Sequence, residues 1–307
     1  MKNKFRLNRQ MVLRVAGSLL MVGALFFLFQ QQGWDEIARA ASQVTLLQFS
    51  LSLGLFLFSR LFIVGRWHVL LRSGGVRIPL LRSAELTFSG LFASNFLPTT
   101  IGGDLIRLAG IMKLGYDRAV SLASLAADRL VGMFGMVMVL PLGLVPIWQL
   151  DLAQSAMQSS PLQLTFLSTW LDRIRGFIKR TLQASTLWFR QPVALLLALA
   201  CSWGHMLCTF GALFVLVHGL GAQTSFWLIA GLWSVVYFVT LIPVSINGYG
   251  VQELSMTYLF SHLGGLTMSG SLILALLIRL VIMLASLPGA LFVPSILAAA
   301  RDVPIGE

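Results

Sequence analysis

The chain has 307 residues, of which 57% are hydrophobic and only 11% are charged, and its formal net charge is +11. A soluble domain carries about 25% charged residues, so this composition excludes a soluble globular protein and predicts a polytopic membrane protein. The Lys and Arg residues lie mostly near the ends of apolar runs, which indicates a membrane face rather than a nucleic-acid surface, and we expect no nucleic-acid partner.

The apolar runs predict an all-α protein of about seven or eight transmembrane helices. The first run follows four basic residues, which places the N-terminus in the cytoplasm. A cleaved signal peptide is the alternative, but the run is long for one and is separated from the cleavage-like ARA at 38–40, so an uncleaved anchor is favoured. The predicted spans cover residues 11–30, 46–71, 80–97, 119–147, 192–218, 225–243 and 269–298.

A polar segment at 148–191 separates the fourth and fifth spans and carries five Arg and Lys residues, which predicts that it is cytoplasmic. Apolar and basic residues recur there at helical spacing, which is typical of an amphipathic helix on a membrane surface. Such a helix captures anionic headgroups or, in the simpler interpretation, only connects its neighbours. We therefore expect a single membrane domain, 1–307, with one half at 46–147 and the other at 192–298.

Two polar interruptions resemble each other. The sequences PTTIGG at 98–103 and PVSING at 243–248 share Pro, Ile and Gly at matching positions, and each precedes a long span with an internal arginine, Arg129 or Arg279. Alternating topology orients the two copies oppositely, and inverted repeats with broken helices are typical of transporters. We therefore expect two broken or re-entrant segments, whereas the simpler alternative is a pair of turns outside the membrane.

The composition of these breaks suits an anion. Proline ends a helix, and glycine permits unusual backbone angles. New helices that begin near Gly103 and Gly250 would direct free backbone N–H groups into the membrane interior, and helix N-termini bind phosphate. The absence of a side chain at Gly103 and Gly248 would leave room for that phosphate.

Charged side chains inside the spans are costly unless they are paired or hydrated, which makes them candidates for function. We expect Arg129 and Arg279 to face one shared cavity, with Asp128 and Arg60 nearby. The simpler alternative, which is compatible with it, is internal ion pairing, for example of Asp128 with an arginine of another helix. An excess of arginine over acid suits an anionic ligand such as a lipid phosphate. Arg66 is close enough to a span end to reach the interface instead. The residues at membrane depth are Arg60, Glu85, Asp128, Arg129 and Arg279.

The motifs FASNFLPTTIGGDLIRL, AADRLVGMFG and PVSINGYGVQE resemble the membrane domain of lysylphosphatidylglycerol synthases, a flippase-like family. The resemblance covers about 11–298, although Asp128 stands where many members have Glu. It implies a bacterial or archaeal inner-membrane protein that moves anionic or aminoacylated lipids between leaflets. We expect a standalone membrane member, without the soluble domain that attaches lysine to the lipid.

The residues predicted to bind substrate combine these motifs with the membrane charges. They are Arg60, Asn95, Pro98, Gly102, Gly103, Asp104, Arg107, Asp128, Arg129, Asn247, Gly248, Gly250, Glu253 and Arg279.

Catalytic and metal motifs are weak in this sequence. The four histidines are scattered, and Cys201, His205 and Cys208, although on one predicted helix, are more simply explained by packing than by a metal. No nucleotide-binding fingerprint occurs. We therefore expect no catalytic residue, metal or cofactor.

Two functions remain open. The first is a flippase for a phospholipid, an aminoacylated lipid or a polyprenyl-phosphate-linked glycan in the bacterial inner membrane. The alternative is an integral membrane enzyme, or a subunit of a lipid or glycan transferase, in which Asp104 or Glu253 serves as the acid. The expected partners are a membrane lipid with an anionic headgroup or phosphate and an enzyme of lipid or glycan synthesis.

Overall fold

A computed structural model describes residues 9–96, 102–149, 191–242 and 245–293. Within those ranges the chain is helical and has no strand, which confirms the all-α class. Two 3-10 turns, Ile246–Gly248 and Leu287–Leu291, accompany the α-helices. The α-helices are α1 (Arg9–Gln32), α2 (Trp34–Gln43), α3 (Leu46–Ser73), α4 (Leu80–Phe96), α5 (Gly102–Lys113), α6 (Arg118–Gln149), α7 (Pro192–Gly219), α8 (Phe226–Thr240), α9 (Val251–His262) and α10 (Met268–Ser286).

Four stretches among the described residues are long and apolar enough to cross a membrane: α3, α6, α7 and α10 with its 3-10 extension to Leu291. The chain is therefore a multi-pass membrane protein. In contrast, α4 has 17 residues and α8 has 15. At 1.5 Å per residue they extend about 26 and 23 Å, less than a hydrocarbon core of about 30 Å. The helices within the spans predicted at 80–97 and 225–243 are thus shorter than the hydrocarbon core.

Helices α3 and α7 pack antiparallel along their length. Near one end, Ser52 Oγ donates a hydrogen bond to Ala212 O at 2.8 Å. At the other end, Gln191 Nε2 donates to Ser73 O at 2.9 Å. The end of α3 therefore lies beside the start of α7, and this pair defines the two ends of the helix bundle.

Helices α4 and α5 form a hairpin that begins and ends where α3 ends. The hydroxyl of Tyr116, after α5, donates to Arg77 O, before α4, at 2.8 Å. A buried apolar cluster joins this region; its members are Trp67, Leu71, Val76, Ile78, Leu86, Leu108, Ile111 and Leu125. We call this the basic end of the bundle because its helix ends and connections carry Arg72, Arg77, Arg82, Lys113 and Arg118.

Helices α8 and α9 form a second hairpin at the opposite end, where α3 begins and α7 ends. Thr224, before α8, donates its hydroxyl to the carbonyl oxygen of Gly264, after α9. The ring of Phe226 packs edge-on against Phe210 of α7, with centroids 6.3 Å apart. The second hairpin therefore enters the bundle from the end that the first hairpin does not use.

The tips of the two hairpins meet inside the bundle. Asn247 Nδ2 donates to Ser94 O, and the hydroxyl of Tyr249 donates to Asn95 O. Each half of the chain thus contains a long helix, a hairpin and another long helix, and the two halves run in opposite directions. The order is α3, α4–α5, α6 in the first half and α7, α8–α9, α10 in the second.

Helix α6 runs from the basic end to the opposite end beside α8. Ser234 Oγ donates to Met136 O at 2.8 Å, and the backbones of Gly143 and Gly231 touch. The end of α6 at Gln149 is consequently at the opposite end of the bundle from the start of α7. This differs from the expectation that the 148–191 segment begins and ends on one face. Its predicted amphipathic helix falls at 150–190, outside the described residues.

Helices α1 and α2 pack on the second half. A Cβ atom at Gly250 would touch Met21 of α1. Ser269, at the start of α10, donates to Gln32 Oε1 at 3.0 Å and lies 3.1 Å from Glu36 Oε2. The predicted first span at 11–30 lies within α1, whose C-terminal end is at the opposite end of the bundle.

Candidate substrate site at the hairpin tips

Left-handed backbone forms the tip of the second hairpin. Asn247 has φ of 53°, Gly248 has 72° and Gly250 has 81°. Side chains with a Cβ atom are strained in this region, whereas glycine and, to a lesser degree, asparagine are tolerated. Three of the four residues of NGYG at 247–250 are therefore left-handed where the chain turns into α9, which begins at Val251.

The glycines at both tips pack against protein rather than against open space. A Cβ atom on Gly103 would touch Gly90 O and Ser94 Oγ of α4. A Cβ atom on Gly248 would lie 3.3 Å from Thr240 Cβ. The expectation that Gly103 and Gly248 leave room for a phosphate is thus replaced by a packing role. Close approach of the Gly90 backbone requires Gly103 to be small, whereas at Gly248 the left-handed φ of 72° favours glycine.

Each helix that follows a break carries an acid as its third residue, and each acid pairs with an arginine of the long helix that comes next. Arg129 Nε donates to Asp104 Oδ2 at 2.6 Å, and Arg279 Nε donates to Glu253 Oε1. A carboxylate in the first helical turn is favoured by the helix dipole. Glu253 also accepts the N–H of Gly250 at 2.7 Å. The helix N-terminus expected to bind an anion therefore already holds a carboxylate.

The two equivalent pairs differ in exposure. The side chain of Arg129 is 51% exposed, whereas that of Arg279 is 10% exposed. Arg279 also lies over the ring of Tyr249, 4.5 Å from its centroid, and donates to Gly248 O at 3.4 Å. The Glu253–Arg279 pair is consequently enclosed by the second tip, while the Asp104–Arg129 pair is open on one side.

A second buried ion cluster joins α3, α5 and α6. Asp128 accepts from Arg66 Nε at 2.7 Å and from both terminal nitrogens of Arg107 at 3.1 Å. Arg66 also donates to Ser202 Oγ at 3.1 Å, and Arg107 lies 3.9 Å from the ring centroid of Trp67. The simpler alternative for Asp128, an ion pair with an arginine of another helix, is confirmed. The prediction that Arg66 reaches the interface is wrong, because its side chain is buried on Asp128.

Arg107 connects this cluster to the first tip, since its Nη1 lies 3.6 Å from Asp104 Oδ1. The described buried ion pairs, the open Asp104–Arg129 pair and Arg60 together contain five arginines and three carboxylates, so positive charge exceeds negative charge. The arginines are Arg60, Arg66, Arg107, Arg129 and Arg279, and the acids are Asp104, Asp128 and Glu253.

Several predicted residues have other positions or roles. Glu85 pairs with the exposed Arg82 at 2.6 Å near the start of α4, so it lies at the basic end instead of at membrane depth. Asn95 contributes its backbone carbonyl to the tip contact. Gly102 is the first, buried residue of α5, and Pro98 lies outside the described residues.

Sequence reasoning missed Arg66, Ser94 and Tyr249. Arg66 lies about two turns before the end of α3, and the signal that could have found it is the need of buried Asp128 for cationic partners. Ser94 acts through its backbone, which no side-chain pattern reveals. Within the described residues, His, Cys, Asp and Glu form no group suited to a metal.

Comparison with known proteins gives a family match over most of the chain. The family described as Lysylphosphatidylglycerol synthase TM region matches residues 12–166 and 152–289. Together the two matches include both hairpins and all four long helices. No curated protein matches the chain. Because the family matches far more than half of the residues, the chain belongs to the lysylphosphatidylglycerol synthase transmembrane-region family.

Proposed function

We propose that the protein moves an anionic lipid between the leaflets of a bacterial inner membrane. The lipid is a phospholipid, an aminoacylated lipid or a polyprenyl-phosphate-linked glycan. Family membership supports a role in lipid-related processes. The observation that carries the proposal is the meeting of two oppositely oriented hairpin tips beside an open acid–arginine pair, Asp104–Arg129.

Broken helices have a specific use in membranes. Their free backbone groups are tolerated at membrane depth only when protein covers them or they line a hydrated path. Transporters place substrate sites where such segments from two inverted halves meet. Here the contacts of Asn247 with Ser94 and of Tyr249 with Asn95 join the two halves at that point.

Arg129 is the residue best suited to receive the headgroup. Its side chain is half exposed, and a guanidinium binds phosphate through two parallel hydrogen bonds. A lipid phosphate competes with Asp104 for Arg129, while the enclosed Glu253–Arg279 pair keeps the second tip in place. The acyl chains remain in the bilayer during this exchange.

The distribution of basic residues supports one orientation of the protein in the membrane. The described connections at the basic end carry several Arg and Lys residues, and those at the opposite end carry few. By the positive-inside rule the basic end faces the cytoplasm. Because the C-terminus of α1 lies at the opposite end, the N-terminus is then cytoplasmic.

The alternative of a membrane transferase has less support. An acid catalyst must touch the reacting group, either directly or through one water. Both candidate acids, Asp104 and Glu253, are bound to arginine. An enzyme of lipid or glycan synthesis is more simply a partner that supplies the lipid.

Lipid movement in liposomes tests the proposal. Purified protein is reconstituted with a panel of fluorescent lipids, and an impermeant quencher reports the rate at which labelled lipid leaves the inner leaflet. We expect wild type to accelerate at least one anionic lipid, and Arg129→Gln to slow it about tenfold or more, because a charge-assisted hydrogen bond pair is lost. Arg129→Lys keeps the positive charge but cannot donate two parallel hydrogen bonds, so we expect it to slow lipid movement less than Arg129→Gln does.

Arg82→Gln is the matched control, since Arg82 also pairs with an acid but is 61% exposed at the basic end. It is expected to leave the rate unchanged. Asp104→Asn separates the alternatives, because it abolishes an enzyme that uses this acid but only changes the rate of a transporter. Wild-type liposomes that move no lipid faster than protein-free liposomes, or Arg129→Gln that matches wild type, would overturn the proposal.

A further inference from the structure

The midpoints of helices α3 and α7 lie side by side, because the two helices pack antiparallel along their length. Helices α3 and α7 each have 28 residues, so their centres fall at Ser59–Arg60 and at His205–Met206. The antiparallel packing brings these centres together, and His205 interacts with the backbone of Ser59. Each centre is about 21 Å from either helix end. Arg60 and His205 therefore lie near the middle of two helices that are long enough to cross a membrane.

Arg60 is a buried cation without an anionic partner among the residues that the structure describes. The residue is 7% exposed, and its Nε atom has no hydrogen-bond partner in the part of the chain that the structure describes. No ion pair joins it to any described carboxylate, and its guanidinium lies 5.3 Å from the ring centroid of Phe56. An uncompensated buried charge is strongly unfavourable, so this arginine requires a counter-charge.

His205 also has a buried polar atom that lacks a hydrogen-bond partner among the described residues. This atom is Nδ1 of the ring. The charged groups within electrostatic reach of the ring are Arg60, Arg66 and Asp128. Asp128 already accepts three hydrogen bonds from Arg66 and Arg107, so it is not available to Arg60.

We propose that Arg60 and His205 form an anion site at the membrane midplane that takes a phosphate group. The site differs in its residues from the Asp104–Arg129 pair and does not depend on lipid transport. A phosphate oxygen accepts from Arg60 Nε. A phosphate hydroxyl donates to His205 Nδ1 when the ring is neutral, or a phosphate oxygen accepts from Nδ1 when the ring is protonated. The phosphate belongs either to a lipid headgroup or to inorganic phosphate.

Histidine-selective ¹⁵N NMR of the intact protein tests this site. The protein is placed in phosphatidylcholine nanodiscs, and its four histidine rings are labelled; the His205 signal is the one lost in His205→Gln. Inorganic phosphate is titrated in one arm, and phosphatidylglycerol replaces part of the phosphatidylcholine in the other. We expect the His205 signal to shift in at least one arm. A shift with inorganic phosphate alone identifies free phosphate as the ligand, and a shift with phosphatidylglycerol alone identifies the headgroup.

Arg60→Gln is expected to weaken the response about tenfold or more, because the charged hydrogen bond is lost, whereas Arg82→Gln leaves it unchanged. A His205 signal that responds to neither anion, or equally well in Arg60→Gln, overturns the site. Lipid movement without a response of the His205 signal would refute only the proposed anion site. A shift of the His205 signal without lipid movement would refute only the transport proposal.

Thermal unfolding distinguishes anion binding by Arg60 from a purely structural role. Arg60→Met removes an unpaired charge, so in phosphatidylcholine without added anion its unfolding temperature is expected to equal or exceed that of wild type. The anion that shifts the His205 signal is expected to raise the unfolding temperature of wild type but not of Arg60→Met. A lower unfolding temperature in Arg60→Met without anion, together with an unchanged gain from anion, contradicts the proposal.

Discussion

At the residue scale, ion pairing decides which buried charges are tolerated. Asp128 forms ion pairs with both Arg66 and Arg107, and the ring of Trp67 packs against the guanidinium of Arg107. The carboxylate links three helices, since Arg66 is on α3, Arg107 on α5 and Asp128 on α6. Removal of its charge leaves two buried cations without a counter-ion, which is the costly way to break a buried cluster.

Asp128→Asn is therefore expected to lower the free energy of unfolding by about 3–5 kcal/mol. The measurement is denaturant unfolding of the purified protein in detergent. Glu85→Gln is the control, because it breaks an acid–arginine pair whose Arg82 is exposed, and it is expected to cost under about 1 kcal/mol. Equal losses in the two variants would show that the buried cluster contributes no more than an exposed pair.

At the element scale, close backbone contact holds the first hairpin together and joins the second hairpin to α6. The first hairpin brings Gly103 of α5 against Gly90 of α4, and α6 meets α8 where Gly143 faces Gly231. Small residues at helix contacts are the usual means of close packing in membranes, because lipid supplies no hydrophobic force between helices. The glycine that the sequence suggests for ligand access thus serves helix contact.

Gly103→Ala tests this packing role. The new methyl group meets a backbone carbonyl and a hydroxyl of α4, and overpacking of this kind is expected to cost about 1–3 kcal/mol in unfolding free energy. Gly54→Ala is the matched control, because a methyl group there has no neighbour within 4 Å. Alanine also favours helix over glycine, so Gly54→Ala is expected to be neutral or stabilising. Comparable stability of the two variants in thermal unfolding would refute close packing at Gly103.

At the scale of the whole molecule, the hairpins set the topology. The connection after α5 lies beside the connection before α4, and the connection after α9 lies beside the one before α8. Each hairpin therefore returns to the face from which it entered. Four long helices connect the two faces, and the tips meet between them.

Cysteine labelling checks this topology in intact spheroplasts with an impermeant maleimide, in a Cys201→Ala, Cys208→Ala background. We expect Arg77→Cys and Lys113→Cys to behave alike and to be protected. Gln223→Cys and His262→Cys are expected to react, because all four side chains are exposed and the two pairs lie at opposite ends. Lys113→Cys that reacts while Arg77→Cys is protected would mean that α4 and α5 cross the membrane once together and do not return.

The sequence by itself determined the class of the protein and the positions of its helices. Hydropathy and charge are local properties, so they place α3, α6 and α7 to within two residues at each end. The span predicted at 269–298 starts one residue from the start of α10 but extends beyond its end at Ser286. The breaks after 96 and 240 were visible because proline and glycine act on their own backbone. Local contacts also set three helix starts at the opposite end. Thr45, Ser225 and Thr267 each precede a helix, and each side chain accepts a backbone N–H from the first turn of that helix.

Only the tertiary structure decided which elements cross the membrane and which charges meet. An apolar stretch of 15 to 17 residues suits either a short span or half of a hairpin, and the contact of Tyr116 with Arg77, 39 positions apart, selects the hairpin. Arg66 and Asp128 are 62 positions apart, and Asn247 and Ser94 are 153. Such contacts depend on how helices pack, and no local pattern encodes a partner so distant in the chain.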